Sequence, residues 1–237
     1  MKVRPAALIG GLFLLLLVAA ASSTGRSQPL SDDAAAQLVR ALLLRYFDPP
    51  SVFTVSVTGA RVTGDLLVLD SLTVGGRPVF LRGIEGQFLL QASDLALEAP
   101  ALAQQQARVR RVGGATLVAG STAAAMAQAL ARISSAIIEP RIRFHAGEFT
   151  ITATVRRDDR LYPTEARGRV IVERERIVRV AVTAMTVAGG AVPESTVERE
   201  LLKVNPVLDL SRYPLDLRIR RLTLHDDRIE LLAVGGR

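Results

Sequence analysis

Hydrophobic positions along this chain follow two alternating periods. From Ser31 the period is helical: Leu38, Val39, Leu42, Leu43 and Tyr46 form one stripe, which predicts an amphipathic helix. Ser31 is placed to cap it. Asp32 and Asp33 suit the positive end of its dipole, and Pro49–Pro50 end it. From Phe53 the period drops to two. Phe53, Val55 and Val57 alternate with Thr54, Ser56 and Thr58, and Leu66, Val68, Leu72 and Val74 keep that parity. Gly75–Gly76 reads as a hairpin turn. Further strands are predicted over Val79–Leu90, around Leu95 and Leu97, and over Ala107–Ala119, with a loop at Pro100–Gln106.

The helical period then returns once more, over Ser121–Ile138. Met126, Leu130, Ile133 and Ile137 define its apolar face, Ser121 its cap and Pro140 its stop. After Pro140 the alternation is the clearest in the chain. Ile142 and Phe144 lead, through a turn at Ala146–Gly147, to Phe149, Ile151, Ala153 and Val155. Turns at Arg157–Arg160 and Glu173–Arg176 separate the next strands, so the region predicts an antiparallel meander with one apolar and one wet face. A short helix is predicted over Glu194–Val204. Leu215, Leu217 and Ile219 begin a final strand pair whose parity slips at Arg220–Arg221, the signature of a β-bulge, before a turn at Asp226–Asp227.

Helices with one apolar face need a sheet to cover that face. The expected fold is therefore α+β: a long, strongly coiled antiparallel β-sheet wrapped around two amphipathic helices, in two helix-plus-meander halves of one domain over residues 31–237. Small residues such as Ala123, Ala127 and Ala136 leave room for an apolar trough between helix and sheet. The residues expected to line it are Leu38, Leu42, Met126, Leu130, Ile133, Ile137, Phe144, Phe149 and Ile151.

Composition narrows the partners. The 237 residues are 49% hydrophobic but only 4% aromatic, so the core is aliphatic. Residues 1–24 combine Lys2 and Arg4 with an apolar run from Ala6 to Ala21 and a small-residue site near Ala21–Ser23, the pattern of a secretory signal. An uncleaved N-terminal anchor is the alternative, and residues 25–30 follow as a linker. Either way the body is expected outside the cytoplasm, in the periplasm or on the outer face of the cytoplasmic membrane. Nucleic acid is then not an expected partner, despite a formal net charge of +7. The positive charge is almost wholly arginine, mostly at wet strand positions. Arg141, Arg143, Arg218 and Arg220 are the arginines expected to meet anionic headgroups if they stand at a trough mouth; a solvated outer face is the plainer role.

Catalytic signals are missing. The chain has no cysteine, and His145 and His225 fall in no metal-ligand spacing. It contains no nucleophile elbow, P-loop or dinucleotide fingerprint. The carboxylate pairs Asp158–Asp159 and Asp226–Asp227 sit where turns are predicted, and Asp favours turns for its own reasons. No cofactor, metal or catalytic residue is expected.

The sequence of features is an exported chain opening on an amphipathic helix. A strand of the ASDLALEA type at Ala92–Ala99 follows, then a strand entering a Ser-capped helix (ATLVAGSTAAAMAQAL). The closing pair is PLDLRIRRLTLHDDRIELLAVGG. This layout resembles the LmeA-like phospholipid-binding family, similar in fold to the tubular lipid-binding superfamily. Over about Ser31 to Gly235 the resemblance implies non-catalytic binding of phospholipid acyl chains in the cell envelope, at or near a membrane surface. Two other readings stand beside it: a structural or interaction domain with the same fold and a filled core, and a hydrolase with an unrecognised site.

Overall fold

The structure, a computed structural model, describes residues 27–236. The expected signal or anchor segment, residues 1–24, lies outside the described residues. Chain order begins with β1 (Gln28–Pro29), α1 (Asp32–Leu43), β2 (Phe53–Thr58), β3 (Arg61–Thr63), β4 (Leu66–Leu81) and β5 (Ile84–Glu98). The short α2 (Ala99–Ala103), β6 (Val109–Arg111), β7 (Gly114–Thr122) and α3 (Ala123–Ile133) follow. Next come β8 (Ile137–His145), β9 (Glu148–Arg157), β10 (Arg160–Glu173), β11 (Ile177–Val187) and β12 (Gly190–Ala191). The chain closes with α4 (Glu194–Val204), β13 (Leu208–Asp209), a 3-10 turn at Leu210–Arg212, β14 (Arg218–Leu224) and β15 (Arg228–Gly235).

The protein is α+β with antiparallel sheets, one of them strongly curled into a half-barrel. The first sheet runs β1-β3-β4-β5-β7-β15-β14, with β2 on β4 and β6 on β5. The second runs β12-β11-β10-β9-β8, with β13 on β11. The closing pair β14–β15 returns to the first sheet beside β7, so the chain does not divide into two consecutive halves. Their expected bulge is present as a register shift between Ile219 and Arg221.

Helix α1 forms where its sequence pattern puts it. The Ser31 hydroxyl accepts a hydrogen bond from the Ala34 amide at 3.2 Å, and Ala35, Val39 and Leu42 are buried on its inner face. That face closes over the first sheet, in the main hydrophobic core with Val57, Val62, Leu67, Leu69, Val74 and Leu95. Several of these side chains are wholly shielded from solvent, so the space between α1 and the sheet is filled.

Two expectations are corrected here. Gly75–Gly76 do not turn; they lie inside the sixteen-residue β4. Gly76 is glycine for room, because a Cβ there would sit 2.5 Å from Val79 and 2.6 Å from the Phe88 ring. The hairpin falls at Arg82–Gly83 instead, where both residues adopt positive φ. Ala146–Gly147, Asp158–Asp159 and Ala188–Gly189 do the same, the backbone of type I′ turns, whose twist matches that of the flanking strands.

The second correction concerns α3, which stops at Ile133, five residues short of the predicted end. Thr122, not Ser121, caps it, accepting from the Ala125 amide at 3.1 Å. The Ser121 hydroxyl instead donates to the Glu85 carbonyl. Ile137 and Ile138 are strand residues paired with Val155 and Thr154. β-Branched side chains lose little on a pleated surface, and the partner strand supplies hydrogen bonds that a helix end would leave unmet. Pro140 is absorbed by a register shift between Ile138 and Arg141 rather than stopping a helix.

Candidate functional site

Strand register places the apolar residues of the second sheet on one face. Phe144 lies opposite Phe149 and Ile142 opposite Ile151, while Phe149 lies opposite Gly168 and Ile151 opposite Ala166. Through β10 and β11 the face continues to Val170, Val180 and Val182. Directly opposed residues point to the same side of a sheet, so these form a single surface. The outer face carries Arg141, Arg143, Thr150, Thr152, Glu165 and Arg167.

Two helices cover parts of the apolar face. Helix α3 is wedged between β8 on one side and β5 and β7 of the first sheet on the other. Its buried residues are accordingly Ala123, Ala127 and Ala129, small enough to let backbones approach from two directions. This overturns the expected stripe. Met126 packs against the cluster of Ala123, Phe144 and Phe149, Leu130 is half-buried, Ile133 is 66% exposed and Ile137 is not in the helix.

Helix α4 covers the β11 edge. It brings Glu194, Val197, Glu198, Leu201 and Leu202 over Val180, Ala181 and Val182, leaving an open groove of about 440 Å³ between them. Asn205, just past the helix, closes one end. Its side-chain oxygen accepts from the Val180 amide at 3.0 Å and its nitrogen donates to the Val180 carbonyl at 2.8 Å. A side-chain amide thus satisfies strand-edge groups that no neighbouring strand reaches. Beyond the groove the same face runs on through half-buried Ala166, Ala153, Val155 and Tyr162 towards the β9–β10 turn.

Six of the nine residues expected to line one trough divide between two clusters, and Leu130, Ile133 and Ile137 belong to neither. Leu38 and Leu42 belong to the main core under α1. Met126, Phe144, Phe149 and Ile151 form the second cluster, and Val170 packs against both. None of the nine borders the groove under α4. The groove residues were within reach of the sequence: Val197 and Leu201 are four apart in a segment that reads as helix, and Val180 and Val182 alternate in a predicted strand. What periodicity lacks is the information that these two stripes face each other.

The four arginines expected at headgroups also separate. Arg218 and Arg220 reach the Glu175 carboxylate at 3.6 and 3.3 Å, so their charge is partly answered within the chain. Arg141 and Arg143 are exposed on the outer face, with no ion-pair partner among the described residues. Among the described residues no group of three or more His, Asp or Glu could hold a metal ion. The His225 ring meets the Glu230 carboxylate at 3.2 Å. That carboxyl is held below its usual range, chiefly by the Arg228 hydrogen bond and then by His225. Among the described residues no polar or charged residue is buried. In the groove Val180, Val182, Val197, Leu201 and Leu202 can exclude water from an apolar group, with Glu194, Glu198 and Asn205 bordering it.

No family model, curated protein or solved structure matches the chain. Among the described residues no helix is long and apolar enough to cross a membrane.

Proposed function

We propose that this is an exported, non-catalytic protein of the cell envelope that binds acyl chains of phospholipid or a similar lipid, the class implied by its LmeA-like layout. The observation that carries the reading is the groove of about 440 Å³ under α4, where Val180, Val182, Val197, Leu201 and Leu202 make an apolar wall beside Glu194, Glu198 and Asn205. Its volume falls within the range of small-molecule pockets, and its lining suits a hydrocarbon chain, each buried methylene contributing roughly 0.8 kcal/mol. The apolar face running on towards the β9–β10 turn offers a path for a longer tail. In this reading the tubular arrangement, a sheet wrapped around two helices with a trough between, gives way to a lipid held between α4 and the second sheet.

The test is native mass spectrometry of protein purified without detergent, with extraction of any bound lipid. Leu202 is 75% exposed, so Leu202→Asp leaves the fold intact and puts a charge on the apolar side of a groove that so far carries charge only at Glu194 and Glu198. Co-purified lipid that is lost in that variant supports the reading. Lipid-free wild-type protein that also takes up no fluorescent fatty acid rejects it.

One observation favours the second reading, an interaction domain. Leu89 and Val118 are cross-strand partners on the outer face of the first sheet, 43% and 46% exposed. Lipid-free protein that self-associates, and becomes monomeric on Val118→Lys, would be the result expected of such a domain.

A further inference from the structure

We propose that the β9–β10 hairpin tip, with the end of α3 beside it, is the surface by which this protein docks on an anionic lipid membrane. The inference rests on the acyl-chain reading for its choice of partner. Leu161 lies opposite Arg156, and Arg160 opposite Arg157. Leu161 is 59% exposed, and Arg156, Arg157 and Arg160 are all exposed. The Arg156 amide donates to the Ala136 carbonyl at 2.8 Å, which brings the end of α3 to the same edge. Ile133, 66% exposed, is the last residue of that helix, and exposed Arg132 precedes it. Two large aliphatic side chains and four arginines thus share one end of the second sheet.

The charge has a sign that the turn does not explain. Asp158 and Asp159 have φ of 48° and 60°, a backbone that Asp tolerates better than most residues, so the turn itself accounts for both. Asp158 lies 3.5 Å from Arg157 and answers its charge; Asp159 is the opposing charge at the apex. Arg156 and Arg160 have no ion-pair partner among the described residues. Directly opposed like charges such as Arg157 and Arg160 weaken a hairpin, so the turn gains nothing from them. Exposed leucine and isoleucine among arginines match a bilayer surface instead: apolar tips enter the headgroup layer while guanidinium groups meet lipid phosphate. The position also serves the groove, because the half-buried face through Tyr162, Val155 and Ala166 leads from this tip towards Val182.

The experiment is co-sedimentation of the purified protein with vesicles of phosphatidylcholine alone and of phosphatidylcholine mixed two to one with phosphatidylglycerol. Binding is expected to the mixed vesicles and to fall with added salt. Two arginines at about fivefold each make Arg156→Gln/Arg160→Gln roughly 25-fold weaker, and Leu161→Asp should cost roughly tenfold. Arg156 and Leu161 share the outer face with Arg141 and Arg143, which stand farther from the tip towards the β8–β9 turn; Arg141→Gln/Arg143→Gln removes the same charge there and is expected to leave binding unchanged. Equal weakening by both arginine pairs would mean that total charge alone binds, and would overturn the tip. So would wild-type binding that ignores the anionic fraction. A tip variant that fails on vesicles yet still carries lipid in native mass spectra supports the inference. Vesicle binding through the tip by a protein that never holds lipid would sink the carrier reading and leave this surface standing.

Discussion

Substitutions at Ile133 and Ala127 separate two accounts of α3. If the helix packed through its large aliphatic stripe, Ile133→Ala would delete a core side chain at a cost of roughly 2–5 kcal/mol, and Ala127→Leu would be tolerated on a half-empty face. The structure reverses both. Ile133 is 66% exposed at the helix end, so truncation removes little buried area. Alanine is also the better helix former by a few tenths of a kcal/mol. Ile133→Ala should therefore fall within about 0.5 kcal/mol of wild type. Ala127 is 8% exposed in a helix wedged between β8 and the β5–β7 pair, so a leucine has no free volume to enter. Overpacking of that kind costs roughly 1–3 kcal/mol. Urea unfolding followed by far-ultraviolet circular dichroism measures both, since the chain has no tryptophan to report by fluorescence. An Ile133→Ala variant destabilised by 2 kcal/mol or more, with Ala127→Leu neutral, would refute the alanine-mediated packing.

Three further outcomes are expected. Gly168→Ala should destabilise by roughly 1–3 kcal/mol in urea, because the added Cβ would collide with the Ala181 carbonyl oxygen and lie 2.5 Å from the Phe149 ring. Asn205→Ala strands the Val180 amide and carbonyl at the groove end and should cost roughly 1–3 kcal/mol, with faster hydrogen exchange at the Val180 amide. The Asp209 carboxyl is held below its usual value of 3.8, first by the Ser211 hydroxyl and also by the Ser211 amide and Arg212. A depressed carboxyl pKa contributes stability that is fully present above the unfolded value and is lost as pH falls through the folded one. Asp209→Asn should therefore flatten the acid limb of a stability-against-pH curve below about pH 4 while leaving its slope near neutrality unchanged.

Local chemistry was legible wherever one segment settles its own state. Ser31 followed by Asp32 and Asp33 starts a helix because its hydroxyl meets the free amides of its own first turn. The same holds for the meander, for the turns at Ala146–Gly147 and Asp158–Asp159, for the α4 span and for the bulge at Ile219–Arg221. Ile137 and Ile138 went the other way. They fit the helical stripe as well as a strand, and the β9 edge decides in favour of the strand by hydrogen-bonding to it. Gly75–Gly76 and Arg82–Gly83 offered competing turns. The β4–β5 ladder, which pairs Gly75 with Leu89 and Gly76 with Phe88, keeps the first pair extended, and of the two only Gly76 is glycine for room.

By itself, then, the sequence determined the α+β class, the antiparallel pattern, most element positions and the aliphatic character of the core, because each follows from propensity and period over a few neighbouring residues. Only the tertiary structure decided that β14 and β15 close the first sheet, that α3 packs through alanine, and that an open groove lies under α4. Those outcomes depend on which surfaces meet and at what distance. A hydrophobic stripe states that it will be buried but carries no record of its partner, and a void arises only where two such partners fail to fill the space between them.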